Sequence, residues 1–250
     1  MTYCLGIKVK SGLVAIADTR LTSGNECSTG KKIFVHQREN HSLFVMTSGL
    51  RSVRDKVITY YKECLEVNDR VYDKMYKAVN GLAEQLRRVA VEDKQFLTSN
   101  GLFFDLYAII GGQLENDDSQ KLFLLYPEGN WIEIGDDGSP FIIIGNSGYG
   151  KPILNRTINQ DSTLNFCLKT GLLSFDSTRV SANDVDFPID IILYEKDTYQ
   201  LVEHRIYREE VKDVTEYWQN KLTTAIQTIP EGWMEPVLAK LGQMQLFASV

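Results

Sequence analysis

The sequence predicts an α+β fold, with antiparallel sheets and helices stacked outside them. Three observations carry this. Strand-like and helix-like segments fall in separate blocks: strands, two helices, strands, two helices, two strands, helix. Neighbouring strand segments are joined by tight turns such as KSG and KDT, which make hairpins. No Pro/Gly/Ser linker, repeat or low-complexity tract interrupts the chain, so a single domain over residues 1–250 is expected.

The elements follow from periodicity. In TYCLGIKVK, Tyr3, Leu5, Ile7 and Val9 alternate with Cys4, Gly6, Lys8 and Lys10, a period of two that predicts a strand with one buried face. After KSG, LVAIADTR is its hairpin partner. LTSGNECSTG is rich in turn residues and reads as a connection. KKIFVH and SLFVMTS form another strand pair around QRENH. Beyond Gly49 the period changes to that of a helix, with Val53, Val57, Tyr60 and Tyr61 on one side. A second helix is predicted over Tyr72 to Val91, striped by Met75, Val79, Leu82, Leu86 and Val89. FFDLYAIIGG, KLFLLYP, NWIEIG and FIIIG are strands, with the acidic ENDD at 115–118 as a solvated turn. KPILNRTI and STLNFCLKTGLLSF are helical, PIDIILYE and YQLVEHRIY are a closing strand pair, and the tail EEVKDVTEYWQNKLTTAIQT is an amphipathic helix.

Composition bounds the function. The 250 residues are 43 % apolar and 24 % charged with net charge −6, which suits a large globular core. The longest apolar runs, LYAII and FIIIG, are far short of the ~20 residues a membrane span needs. No basic segment followed by an apolar stretch marks a signal peptide. Cys4, Cys27, Cys64 and Cys167 show no CxxC spacing and no clustering with histidine, which argues against a zinc site or a disulfide scaffold. The expectation is a cytoplasmic protein with reduced thiols, no cofactor and no metal. Mild acidity without a Lys/Arg stripe excludes nucleic acid as the main partner. His36, His41 and His204 sit on separate segments and read as surface or satisfied residues.

The chemistry sits at the beginning of the chain. Removal of Met1 would expose Thr2, and an N-terminal threonine carries its own base. Its α-amine has a reference pKa of about 7.7–8.0, so part of it is unprotonated at neutral pH. A hydroxyl beside a free amine is one of the known nucleophile–base devices. Nearby positive charge and burial keep such an amine neutral. Lys32 supplies the charge, and Asp18 holds Lys32 in place. A hairpin returns the end of its second strand to the start of its first, so residues 2 and 18 meet; Lys32 opens the next strand after a connection long enough to come back.

The run T-Y-C-L-G-I-K…G-L-V-A-I-A-D-T-R, then G-K-K-I-F, then M-T-S-G-L, resembles proteasome-type peptidases and is most similar to their bacterial branch called Anbu. The resemblance covers nearly the whole chain, including GNSGYGKPILNR and SFDSTRVS. It implies an N-terminal-nucleophile hydrolase fold, a four-layer αββα sandwich with two antiparallel sheets between helix layers. It implies a threonine-type endopeptidase. Thr2, Asp18 and Lys32 match the family's nucleophile, aspartate and lysine. Lys31 is a rival, set aside because KI enters the strand as the family's lysine does. Gly49 matches the glycine whose N–H forms the oxyanion hole. Ser147 and Asp176 match the accessory serine and aspartate that orient the threonine amine, and Ser177 or Thr178 the second accessory hydroxyl. Arg20, Leu21 and Thr22 fall on the stretch that flanks substrate as an extended strand, where a peptide adds by main-chain hydrogen bonds. Arg51 lies near the side-chain pocket, from which a taste for acidic or polar side chains is expected. The partners implied are a peptide or protein substrate and further copies of the chain in a ring or open ring.

One motif points elsewhere. GNSGYGKP reads G-x-x-x-x-G-K, nearly a P-loop, between a strand and a helix. The Ser or Thr that would bind Mg²⁺ is Pro152, which has neither a hydroxyl nor an N–H, and the nucleotide reading falls with it. Two alternatives to a peptidase stand: a catalytically silent scaffold subunit on the same fold, and a hydrolase of small amides.

Overall fold

The computed structural model describes residues 2–23, 26–68, 71–135 and 138–240. The chain divides into two compact units, Met1–Glu210 and Val211–Val250.

The first unit is built on two five-stranded antiparallel sheets. β1 (Tyr3–Val9) and β2 (Gly12–Asp18) form the expected hairpin, with Cys4 opposite Ala17 and Val9 opposite Gly12. β10 (Phe141–Gly145) pairs with the outer edge of β1, and β11 (Ile189–Glu195) and β12 (Leu201–Ile206) extend the other side in the order β10-β1-β2-β11-β12. The second sheet has the order β5-β6-β7-β8-β9. Its strands are β5 (Ile33–Arg38), β6 (His41–Gly49), β7 (Leu106–Leu114), β8 (Lys121–Leu125) and β9 (Trp131–Glu133).

β1 differs from expectation in having both faces buried. Tyr3, Leu5, Ile7 and Val9 join one apolar cluster with Leu154, Cys167 and Phe175. Cys4 joins another, made of Leu13, Ala15 and Ala17 from the first sheet and Phe44, Met46, Ile109 and Leu122 from the second. Gly6 is the reason its even face escapes a period-two reading: Ile109 and Leu122 come within 3.0–3.3 Å of where its Cβ would stand. Small residues let the second sheet approach, and smallness is not read as hydrophobicity. Lys8 is 5 % exposed and its ammonium reaches the Glu133 carboxylate at 3.3 Å, so its burial is paired.

A third cluster lies between the second sheet and two helices, α1 (Arg51–Asn68) and α2 (Met75–Ser99). The predicted α2 stripe is buried as read, together with Ala78 and Ala83, and the helix runs eight residues past Val91. Each fully buried Leu, Val or Phe contributes on the order of 1.5–3 kcal/mol. α3 (Lys151–Thr157) and α4 (Leu164–Ser181) carry the apolar residues that meet β1 and β2. Thr163 caps α4 by accepting the Phe166 N–H.

The stretch read as a connection, LTSGNECSTG, holds a two-stranded ribbon, β3 (Arg20–Ser23) and β4 (Glu26–Thr29). β4 is exposed along its length, so no buried face marks it in the sequence. The second unit contains the predicted tail helix α5 (Lys212–Gln227), with no buried residue, and a further helical segment at 235–240. No described helix is long and apolar enough to cross a membrane.

Candidate active site

The site grows from the β1–β2 hairpin. Thr2 directly precedes β1, and Asp18 closes β2 next to Ala17, which pairs with Cys4. The Asp18 carboxylate is fully buried. Its Oδ1 accepts from the Tyr3 N–H at 2.8 Å and from the Lys32 ammonium at 2.7 Å, and its Oδ2 accepts from the Arg20 N–H at 3.2 Å. Lys32 stands just before β5, on the second sheet, and is 4 % exposed. The ion pair therefore ties the two sheets together at the residue following Thr2. Burial pushes the Asp18 carboxyl above the usual range, against the opposing pull of Lys32 and the two N–H donors. Lys31 points elsewhere: it is exposed and bonds Glu203 of β12.

Thr2 is held from its other side by the loop that looked like a P-loop. The Asn146 N–H donates to the Thr2 carbonyl at 2.7 Å. Gly145 has φ +85°, and a Cβ there would lie 2.0 Å from that carbonyl oxygen, so the close approach requires glycine. The backbone N–H of the nucleotide-like motif thus grips residue 2, and Pro152 sits in the first turn of α3. Thr2 is 8 % exposed and lines a cleft of about 1340 Å³. Gly49, at the end of β6, lines the same cleft. Ser48 beside it comes within 3.3 Å of the Cβ position of Gly145, which puts the end of β6 next to residue 2.

The structure does not join Ser147 and Asp176 to Thr2. Neither makes a hydrogen bond to Thr2 among the described residues; the Ser147 carbonyl accepts from the Lys151 N–H. Asp176 lies in the body of α4, where Arg179 of the same helix takes its Oδ1 at 2.7 Å. Ser177 and Thr178 are also on α4 and not in a loop; their hydroxyls donate to the carbonyls of Leu173 and Ser174, four residues back. α4 runs to Ser181 and keeps this whole stretch helical.

Ser174 is the hydroxyl that sequence reading missed. The buried Tyr3 phenol donates to Ser174 Oγ at 2.7 Å, and Ser174 Oγ donates to the Gly150 carbonyl at 2.8 Å. This links the residue after Thr2 to the far end of the loop that holds the Thr2 carbonyl. Tyr3→Phe is expected to cost about 1 kcal/mol, read as a lower urea midpoint at unchanged slope. No local signal could reveal a bond between residues 171 positions apart.

The cleft walls carry the expected flanking residues. Arg20, Leu21 and Thr22 lie on β3 and line it, as does Arg51, the first residue of α1. Both arginines are engaged: Arg20 with Asp186 at 3.4 Å and with Cys27 Sγ at 3.2 Å, Arg51 with Asp55 at 3.5 Å. Among the described residues no group of three or more His, Cys, Asp or Glu is placed to hold a metal ion. Met1 lies outside the described residues.

No family model and no curated protein matches the chain. Solved structures do. The Anbu (Gly-1) mutant from Hyphomicrobium sp. strain MC1 is 32 % identical, with TM-score 0.84 over 92 % of this chain and 99 % of that one. Anbu (ancestral beta-subunit) from Yersinia bercovieri is 27 % identical, with TM-score 0.84 over 91 % and 97 %. The helical assembly of the Anbu complex from Pseudomonas aeruginosa is 27 % identical, with TM-score 0.83 over 91 % and 97 %. At this identity over almost the full length of both chains, and with a proteasome-like fold, the protein belongs to the Anbu family.

Proposed function

We propose that the protein is a threonine-type amide hydrolase of the N-terminal-nucleophile kind, acting on peptides once Met1 has been removed. The observation that supports this most is the buried Lys32–Asp18–Tyr3 N–H chain, which ends at the backbone of Thr2 where Thr2 opens into the cleft. The Thr2 hydroxyl oxygen attacks the scissile carbonyl carbon, and its proton passes to the Thr2 α-amine. The Lys32 ammonium favours the neutral amine beforehand, and Asp18 fixes that ammonium. The Gly49 N–H receives the negative charge that develops on the carbonyl oxygen. The C–N bond then breaks, the leaving amine takes the proton, and an ester remains on Thr2. Water, deprotonated by the same amine, hydrolyses the ester. In this reading Ser147 acts through its loop, whose Asn146 N–H positions the Thr2 carbonyl, and Asp176 supports α4 through Arg179.

The three apolar clusters support the four-layer αββα arrangement for the first unit. The helical assembly of the Pseudomonas relative supports self-assembly into an open ring. The free cysteines, two of them buried, support a reducing, cytoplasmic setting. One observation favours a silent scaffold subunit instead: neither expected accessory group, Ser147 or Asp176, is bonded to Thr2.

Intact mass after treatment with a β-lactone or epoxyketone probe decides between them. The enzyme gives a Met1-trimmed protein carrying one adduct, absent in Thr2→Ala. A trimmed wild type that takes no adduct and cleaves no peptide identifies the scaffold.

A further inference from the structure

The segment entering β7 alternates strictly. Phe104, Leu106 and Ala108 pack into the cluster shared with α1 and α2. Phe103, Asp105 and Tyr107 face the other way and line the cleft. Successive residues of an extended chain point to opposite faces, so these three form one row on the cleft wall. The row is anchored beside Gly49. The Leu50 N–H donates to the Asp105 carbonyl at 3.0 Å, and Asp105 Oδ1 lies 2.9 Å from where a Gly49 Cβ would stand.

The row is solvent-facing: Phe103, Asp105 and Tyr107 are all exposed. The Asp105 carboxylate has no hydrogen-bond or ion-pair partner among the described residues. Although the residue is exposed, partial desolvation against the cleft wall raises its carboxyl, and no cation among the described residues opposes this. Phe103 is 84 % exposed and Tyr107 38 %, and the cation–ring contacts of the described residues fall on other rings. Tyr107 is steadied by an edge-on contact with Tyr126 at 6.2 Å. Across the cleft, the two arginines that could oppose a cation are already paired with Asp186 and Asp55.

We infer that Phe103, Asp105 and Tyr107 form a subsite for a cationic side chain, lysine or arginine, of a peptide bound next to Gly49. A carboxylate between two aromatic faces offers one ionic partner and two quadrupoles to a single guanidinium or ammonium. This runs opposite to the acidic or polar preference expected from Arg51, which makes an exposed 3.5 Å ion pair with Asp55. The inference rests on the cleft being the substrate cleft proposed above, but its test does not need turnover.

The probes are fluorescein-labelled N-acetyl tetrapeptide amides, Ala-Ala-Ala-X with X arginine, leucine or glutamate. Binding to the Thr2→Ala variant is followed by fluorescence anisotropy in about 0.1 M salt. The arginine peptide is expected to bind about tenfold tighter than the leucine peptide, and the glutamate peptide more weakly than either. Asp105→Asn, which keeps the shape and removes the charge, is expected to bring arginine within about twofold of leucine while the leucine affinity holds. Phe103→Ala, at an exposed ring, gives a smaller loss for arginine alone, about threefold. A glutamate peptide that binds as well as arginine, a preference that survives Asp105→Asn, or no binding by any peptide overturns the inference. A Met1-trimmed wild type that ignores Thr2-directed probes yet selects arginine keeps this subsite and removes the hydrolase reading; a labelled protein without the preference does the reverse.

Discussion

Lys32→Met is expected to lower stability by about 3–5 kcal/mol, because it strands a buried carboxylate. Asp18 is fully buried, and with Lys32 gone it keeps only the Tyr3 and Arg20 N–H groups. The cost also acquires a pH dependence. Burial already holds the Asp18 carboxyl above the usual range, and Lys32 opposes that rise. Without Lys32 the folded state binds a proton at a pH where the unfolded chain does not. Fewer protons bound in the unfolded state means that stability falls as pH rises through the folded-state value, and is highest below the ordinary carboxylate value of about 3.9. Urea denaturation near pH 5 and near pH 8 should therefore find the variant more stable at the lower pH, by a wider margin than wild type. Asp18→Asn combined with Lys32→Met removes both charges and should recover part of the loss and flatten the pH dependence. Equal stability of Lys32→Met and wild type at both pH values would show that the pair contributes nothing. On the catalytic proposal both variants lose probe labelling, since the Thr2 amine has lost its neighbouring charge.

Gly49→Ala is expected to cost about 2–4 kcal/mol, the sum of a strained backbone and a lost hydrogen bond. Gly49 has φ +143°, and a Cβ there would stand 2.0 Å from the Asp105 carbonyl oxygen and 2.8 Å from its carbon. Both atoms are backbone, so the end of β6 must move away from residue 105. The Leu50 N–H to Asp105 bond breaks with that movement, and the Gly49 N–H is reoriented along with it. If that N–H is the oxyanion donor, turnover drops about 10²–10³-fold beyond any loss of folded protein. Gly138→Ala is the control: nothing lies within 4 Å of its Cβ position, and it should stay within about 0.5 kcal/mol of wild type. A Gly49→Ala protein with the wild-type midpoint and full labelling would remove Gly49 from both roles.

The parts of the site legible in the sequence are those that lie on the hairpin. Thr2 and Asp18 could be placed together because a hairpin has one way to close, and Lys32 because a strand follows a return of known length. Ser147, Asp176 and the second hydroxyl were not legible in the same sense. Asp176 and the second hydroxyl depended on how far α4 runs, and helix ends set by tertiary packing are weakly marked in sequence, while Ser147 depended on how the loop after β10 meets residue 2. The Phe103–Asp105–Tyr107 row was present as alternation in FFDLYA, yet reading it required knowing that the other face of β7 meets α1 and α2. The β3–β4 ribbon escaped because it buries too little for its pattern to show.

By itself, the sequence determined the order of strands and helices apart from the β3–β4 ribbon, the β1–β2 hairpin, the buried stripe of α2 and the short list of residues able to support threonine chemistry. Those follow from local periodicity and turn composition, which act over a few residues. The tertiary structure alone decided that the Lys32–Asp18 pair bridges the two sheets, that Tyr3 reaches Ser174, that the GNSGYGKP loop grips Thr2, and that Asp105 faces the cleft without a hydrogen-bond or ion-pair partner among the described residues. Each of these joins segments distant in the chain, and such contacts are selected by how two sheets pack, which no local window of residues encodes.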